Sequence, residues 1–229
     1  MTSPCREIEF KFGVRSRRAF EQLVEHLGLP ESLLTEGVTQ ANHFFDSQAL
    51  CLHKKHFVIR LREQNEKNIL TVKGEQAIQQ PGTSVLSDRI EEEVVIPRPA
   101  AEDLLHGRIS PLQAISDHFK DRSASIMQMI NTACNDPSLL HIGEFSNVRI
   151  HLPPVMLSVA NTSEKLEFEL DTSTFPDGSV EYEFEIEITE HNNAASIEAA
   201  LVELFQQAGI KWHPAASKAE RFFATLANN

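Results

Sequence analysis

Glu7, Glu9 and Lys11 alternate with Ile8, Phe10 and Phe12 near the start of the chain. The two-residue period of a strand places the three charges on one face and the apolar residues on the other. The same layout recurs as Arg60 and Arg62, as Thr71 and Lys73, as Arg89, Glu91 and Glu93, as Glu167, Glu169 and Asp171, and as Glu183, Glu185 and Glu187. One such strand is ordinarily the solvated side of a half-covered sheet. Six of them, with both signs of charge and apolar partners such as Val58, Ile59 and Leu61 or Phe184, Ile186 and Ile188, point to a sheet curled around an ionic interior. The chemistry that suits such an interior is the holding of a highly charged ligand with divalent cations. Like charges alone would repel there, so Glu must interleave with Lys and Arg or be neutralised by ligand and metal.

Pattern and punctuation locate the elements that must position these residues. Strands are expected over 5–13, 37–46, 48–63, 68–74, 88–97, 142–152, 155–161, 165–171 and 179–189, bounded by turn residues such as Asn65 to Lys67, Gly74, and Asp177 with Gly178. A first helix runs from a Ser16 cap to about Leu27, with Phe20, Leu23, Val24 and Leu27 on its apolar stripe. Pro97 and Pro99 open a mainly helical insertion at about 100–140, broken near Pro111 and around Lys120 to Ser123. Residues 194–208 carry Ile197, Ala200, Leu201, Leu204 and Phe205 at helical spacing, and Ser217 caps a last helix ending near Ala227. The stretch from Gln76 to Ser87, with Pro81 and Gly82, is expected to be a mobile loop. His53, Lys54, Lys55 and His56 form a polar hairpin turn rather than a metal site.

Composition narrows the partners. A chain of 229 residues, 41% hydrophobic, buries a substantial core and is expected to form a single domain over 1–229. A formal charge of -12 and a pI near 5.3 exclude a nucleic-acid backbone as the main partner, which needs clustered and unopposed Lys and Arg. No apolar run approaches membrane-spanning length or resembles a signal peptide, so no membrane partner and a cytoplasmic location are expected. Cys5, Cys51 and Cys134 are too few and scattered for a disulfide framework or zinc cluster, which fits a reducing compartment.

The ordered set of motifs resembles the CYTH domain, or triphosphate tunnel metalloenzyme, superfamily. Its E-x-E-x-K signature stands as Glu7 to Lys11, followed by Phe44 to Asp46, Arg60 to Arg62, Thr71 to Gly74 and Arg89 to Glu93. In the second half come Asn147 to Arg149, Glu169 to Asp171, Glu183 to Glu185, and Ser217 with Lys218. The resemblance implies an α+β fold in which an eight-stranded antiparallel β-barrel, with helices packed outside, holds a linear triphosphate and Mg2+ or Mn2+. It casts Lys11, Arg60, Arg62, Lys73, Arg89, Arg149 and Lys218 as the phosphate-binding cations. Glu7, Glu9, Glu183 and Glu185 become hard oxygen ligands for the metal, and these four with Lys11 the catalytic set. Glu91, Glu93, Glu169 and Asp171 follow as further metal ligands or as partners that hold the basic side chains.

The activity this implies is metal-dependent hydrolysis of inorganic tripolyphosphate to orthophosphate, by a monomer or homodimer acting on a small molecule. Alternatives on the same fold are a thiamine triphosphatase or nucleoside triphosphatase, and a class IV adenylate cyclase. A non-catalytic binder of polyphosphate or nucleotide is the reading outside enzymology, against which the number of carboxylates argues. Trp212, the sole Trp, offers no evident platform for stacking a base, which favours the inorganic substrate.

Overall fold

A computed structural model describes residues 6–76, 85–135, 138–159, 162–189 and 193–226. Strands β1 (Arg6–Val14), β2 (Val38–Asp46), β3 (Val58–Gln64), β4 (Lys67–Gln76), β5 (Leu86–Ile96) and β6 (Leu140–His151) precede a separate hairpin, β7 (Val155–Val159) with β8 (Thr162–Leu166). Strands β9 (Phe168–Thr174), β10 (Val180–Ile188) and β11 (Trp212–Pro214) follow. The helices are α1 (Arg18–His26), α2 (Arg98–Leu105), α3 (Pro111–His118), α4 (Ser123–Ala133), α5 (Ala194–Gln207) and α6 (Lys218–Leu226).

The main sheet runs in the order β10-β9-β6-β2-β3-β4-β5-β1-β11, and β10 pairs back onto β1. Eight antiparallel strands therefore close into a barrel. The short β11 is appended where β5 leaves the edge of β1, opposite Phe12 to Val14. The fold is thus the expected α+β barrel with helices outside.

Alternation decides what lies inside and out. The apolar parity of β1, β9 and β10 packs outward against α1, α5 and the β7–β8 hairpin, burying Phe10, Phe12, Phe168, Phe184, Phe20 and Phe205. The apolar parity of β3 and β4, Ile59, Leu61, Leu70 and Val72, packs under α2, α3 and α4. A smaller cluster has a different origin. Phe44 and Phe145 point inward, and α6 covers them with Phe222 and Phe223, lying over that end of the barrel.

Several sequence expectations are corrected. Strand 48–63 is shorter, because Asp46 winds the chain after β2 into a loop: its carboxylate accepts from the backbone N–H of Ser47, Leu52 and His53 at 2.7, 3.0 and 2.8 Å. The expected strand 165–171 divides between β8 and β9 at Glu167. Ser16 does not cap α1, since the following Arg17 already has helical backbone angles and the helix starts without a side-chain cap. Cys51 and Cys134, read as scattered, form a disulfide with Cα atoms 5.7 Å apart. The two cysteines, 83 positions apart, meet because α4 ends over the β2–β3 loop, a proximity no local pattern encodes. Cys5 and, over 77–84, the expected mobile loop lie outside the described residues.

Burial of the outward face sets a measurable asymmetry. Leu61→Ala, at 0% exposure beneath the helices, is expected to cost about 2–5 kcal/mol in urea denaturation. Val95→Ala, on the rim at 60% exposure, is expected to cost less than about 0.5 kcal/mol. Equal losses would mean that the helices do not cover this face.

Candidate active site inside the barrel

Strand register carries the charges to one another. Lys11 stands opposite Glu185 across the β1–β10 seam, Glu7 opposite Arg89 on β5, Lys73 opposite Glu91, and Arg149 opposite Asp171. Directly opposed residues on one face lie close enough to pair. The interior encloses about 440 Å3 and is lined by Lys11, Arg60, Arg62, Lys73, Arg89, Arg149 and Lys218, every cation expected from the sequence. Glu7, Glu9, Glu91, Glu93, Glu169 and Glu185 line it too. Asp171 and Glu183 sit deeper in the wall, fully buried and in contact with Lys218.

Two ionic networks divide the site. On the β4–β5 side, Lys73 donates to Glu7 and Glu91 at 2.9 and 2.8 Å, and Arg89 to Glu7 and Glu9 at 2.8 and 3.0 Å. Arg60 joins through Glu93 at 3.3 Å. On the β9–β10 side, Arg149 holds Asp171 at 2.6 Å and Glu185 at 2.5 Å, and also meets Glu169. Lys218 reaches Asp171 and Glu185 at 2.8 Å each. Lys11 ties the two together, pairing with Glu9 at 2.7 Å and with Glu185.

Lys218 is delivered by the capping of α6. Ser217 Oγ accepts from the Glu220 N–H at 3.2 Å while the Glu220 carboxylate accepts from the Ser217 N–H at 2.9 Å, a reciprocal box that fixes the first turn. The expected Ser217 cap is therefore present.

Burial and pairing compete at each group. Burial pushes Glu7 and Glu185 up, but Lys73 and Arg89 at the first and Lys11, Lys218 and Arg149 at the second hold both below the usual carboxylate range. Burial wins at Glu91 and Glu169, which are pushed up to about 7, in Glu169 with help from Glu185 and Asp171. Glu183 is also raised, by burial and by Glu185, against Lys218 and Arg221.

Arg62 differs from the other cations. Its Nε donates to Asn42 Oδ1 at 3.3 Å, and among the described residues it makes no ion pair. Burial, and then the neighbouring Arg60 and Arg149, push it down to about 10, leaving it charged at neutral pH. The acids of β5 nearest to it are taken by Arg60 and Lys73. Around a ring of eight, β3 lies four places from β10, so Arg60 and Arg62 face Glu183, Glu185 and Glu187 across the lumen rather than beside them. Both signs nevertheless occur on each side, Lys11, Arg149 and Lys218 among the acids of β9 and β10, and Glu91 and Glu93 beside Arg60.

The donors suit a hard divalent cation. Glu169, Asp171 and Glu185 each bring a carboxylate oxygen within 4.8 Å of the others, and the buried Glu183 shares Lys218 with Asp171 and Glu185. An all-oxygen set of this kind fits Mg2+, Mn2+ or Ca2+ and not a soft metal. Glu7, Glu9, Glu91 and Glu93 are instead engaged mainly with Lys73, Arg89 and Arg60. Glu187 lines the cavity at its exposed rim.

Some polar residues of the inner wall escaped the sequence reading. Gln40, Asn42 and Ser173 face inward and are buried; Ser173 donates to Asn147 at 3.0 Å, which donates to Gln40 and to Asp171 at 3.1 and 2.9 Å. The alternation of Gln40 and Asn42 with Ala41 and His43 was the available signal. Arg221, one helical turn beyond Lys218, pairs with Glu181 at 2.5 Å and with Glu183. His53 stacks on Phe223 at 4.3 Å and lines a second, small pocket beside Lys73 and Arg89. Trp212 packs edge-on against Phe12 on the outside of the barrel.

Comparison with known proteins places this arrangement. A Hippeastrum protein, HpAC1, described as a "putative adenylyl cyclase" with "a dominant" triphosphatase activity, superposes with a TM-score of 0.71 at 24% identity, over 96% of each chain. A "putative adenylate cyclase" of Bacillus halodurans superposes with a TM-score of 0.63 at 23% identity, over 95% of this chain and 98% of that one. At these identities the likeness is one of fold. "Putative triphosphatase YjbK" of Bacillus subtilis (strain 168) is 37% identical over 67 residues, 29% of this chain and 33% of that protein, so the match spans about a third of the relative's length. The model of the CYTH domain family matches residues 5–223, and with the closed barrel and its interleaved interior in view, the chain belongs to the CYTH domain family.

Proposed function

We propose that this protein hydrolyses a linear triphosphate with the help of a divalent cation, and that inorganic tripolyphosphate is its substrate. The observation that carries the reading is a lumen of about 440 Å3 that joins convergent carboxylates to a half-buried guanidinium, Arg62, which makes no ion pair among the described residues. A buried charge without a partner is costly, and a polyanion supplies the partner. Lys11, Arg60, Arg62, Lys73, Arg89, Arg149 and Lys218 would bind and orient the phosphate oxygens, with the arginines suited to paired oxygens. Glu169, Asp171, Glu183 and Glu185, and on the seam Glu7 and Glu9, would hold Mg2+ or Mn2+. When bound, such an ion neutralises phosphate charge and lowers the pKa of a coordinated water.

The inorganic substrate is favoured by the apolar lining. Phe44 and Phe145 reach the cavity, yet Phe44 is stacked against both Phe145 and Phe222, at 5.7 and 4.6 Å, and leaves no ring face for a base or a thiazole. Hydrolysis rather than cyclisation is supported by the naming of the Bacillus subtilis relative and by the activity described for the Hippeastrum protein.

Purified protein is expected to release orthophosphate from tripolyphosphate with Mg2+ or Mn2+, faster than from thiamine triphosphate or ATP. Arg62→Ala and Lys11→Ala are each expected to lower kcat/KM by about 100- to 1000-fold, the usual cost of deleting a charge that stabilises the transition state. Cyclic nucleotide made from ATP would replace this reading with cyclisation, and unchanged hydrolysis in Lys11→Ala would sink it.

The metal-free barrel has its own pH signature. Glu91 and Glu169 are raised from about 4.5 to about 7, so their contribution to stability is full below 4.5 and is lost as pH rises through 7. Glu7, Asp171 and Glu185 are depressed, so their contribution is present above the ordinary carboxylate values and is lost as pH falls through their lower folded ones. Thermal denaturation without divalent ions is therefore expected to lose stability from pH 5 to 8 through these two raised groups, and Glu169→Gln to flatten that alkaline limb. A slope unchanged by the substitution would contradict the assignment.

A further inference from the structure

A second cluster of ligating side chains lies on the opposite face of the barrel wall. His43 on β2 and Glu63 on β3 have outward parity, alternating with the inward Asn42 and Arg62. On β6, Glu144 stands directly opposite His43, and Gly143 opposite Phe44. Regular pairing would next bring Ile142 against Phe45. Instead the register shifts between Phe44 and Phe45, Phe45 pairs with His141, and Ile142 packs with the inward phenylalanine cluster. Gly143, at φ 150°, provides the backbone freedom for this bulge. Bulges re-aim side chains, and this one brings the ring of His141 to 5.3 Å from that of His43.

The ligating atoms of His43, His141 and Glu144 all lie within 4.8 Å of one another. His43 is buried, at 6% exposure, and its Nδ1 is wholly enclosed without a hydrogen-bond partner. Glu144 Oε2 stands 2.8 Å from that nitrogen, outside hydrogen-bonding geometry. A buried nitrogen left unpaired beside a carboxylate is costly as it stands, whereas short edges of this kind are normal between two ligands of one ion. The other ring nitrogen, Nε2, is 3.1 Å from Glu63 Oε2. A carboxylate behind a ligating histidine fixes its tautomer and frees the opposite nitrogen for metal. His141 and Glu144 are exposed, which gives an ion a way in.

We propose that His43, His141 and Glu144 form a binding site for a borderline transition-metal dication of the Zn2+ class, with Glu63 as the positioning residue, on the outer wall and separate from the ionic interior. Two imidazoles with one carboxylate select Zn2+, Co2+ or Ni2+ over Mg2+, the reverse of the all-oxygen interior. The ion cross-links β2 and β6 at the bulge. Its role is structural, because its residues are not among those lining the lumen and adjoin, through Phe45, the core under α2 to α4.

His43 and His141 report on this site, since neither lines the interior cavity, whereas His151, 3.5 Å from Glu169, reports on the interior. Metal-free protein titrated with Zn2+ alone is expected to shift the ring nitrogen resonances of His43 and His141 in NMR spectra, and equilibrium dialysis to show one more ion bound than in His141→Ala. Glu63→Gln is expected to weaken this binding by about 10- to 100-fold. Glu183→Gln, in the interior, is expected to leave the imidazole shifts unchanged. Because His141 is exposed, its replacement tests the site without disturbing the core. If Zn2+ leaves both rings unmoved, or His141→Ala binds as many ions as the unaltered protein, His43 is simply held between Glu63 and Glu144, and the proposal is overturned.

Discussion

The seam between β1 and β10 is the constraint on which the rest depends. Without it the inward charges would face water and need no partners. With it, Lys11, Lys73, Asp171, Glu183 and Glu185 are withdrawn to 5% exposure or less. Each buried ion without compensation costs several kcal/mol, so closure is tolerable only if the strands arrive in a register that sets acid against base. The register does this at Lys11 and Glu185 on the seam itself, and again at each strand pair that carries opposite charges. The outward face answers to the same closure: once the polar parity is turned in, the apolar parity must be covered, and α1 to α5 do so from two sides.

How much of this was legible in the sequence follows from the range of each signal. Alternation is local, so β1, β5 and β10 and the sidedness of their charges could be read directly from Glu7 to Lys11, Arg89 to Glu93 and Glu183 to Glu187. The capping box at Ser217 and Glu220 is local too. What failed was non-local or masked by tertiary contact. The disulfide depends on how α4 docks, the loop after β2 is organised by a single buried Asp46, and β11 is three residues long and held only by β1. The bulge at Gly143 reverses which residues of β6 face outward. A reading by strict period two therefore treats His141 as an ordinary strand residue and overlooks its meeting with His43.

The last helix links the two kinds of packing. Phe222 and Phe223 are core residues by any pattern, and they are what holds α6 over the inward Phe44 and Phe145. Lys218 and Arg221, on the same helix, reach the acids of β9 and β10. An apolar contact thus fixes the position of two interior charges.

The ion pairs themselves bear on how a ligand would enter. With the exception of Arg62, the interior cations are already neutralised by carboxylates. A polyanion that draws Arg149, Lys218 and Lys11 to itself removes the partners of Asp171, Glu183 and Glu185, and those acids are then buried, convergent and uncompensated. A divalent cation meets that need where Glu169, Asp171 and Glu185 already approach one another. Each guest thereby lowers the cost of admitting the other, and since coupling free energy is reciprocal, the polyanion must raise the affinity for the cation by the same factor as the cation raises its own. The interleaving that compensates the buried charges would thereby favour binding of both guests together over either alone.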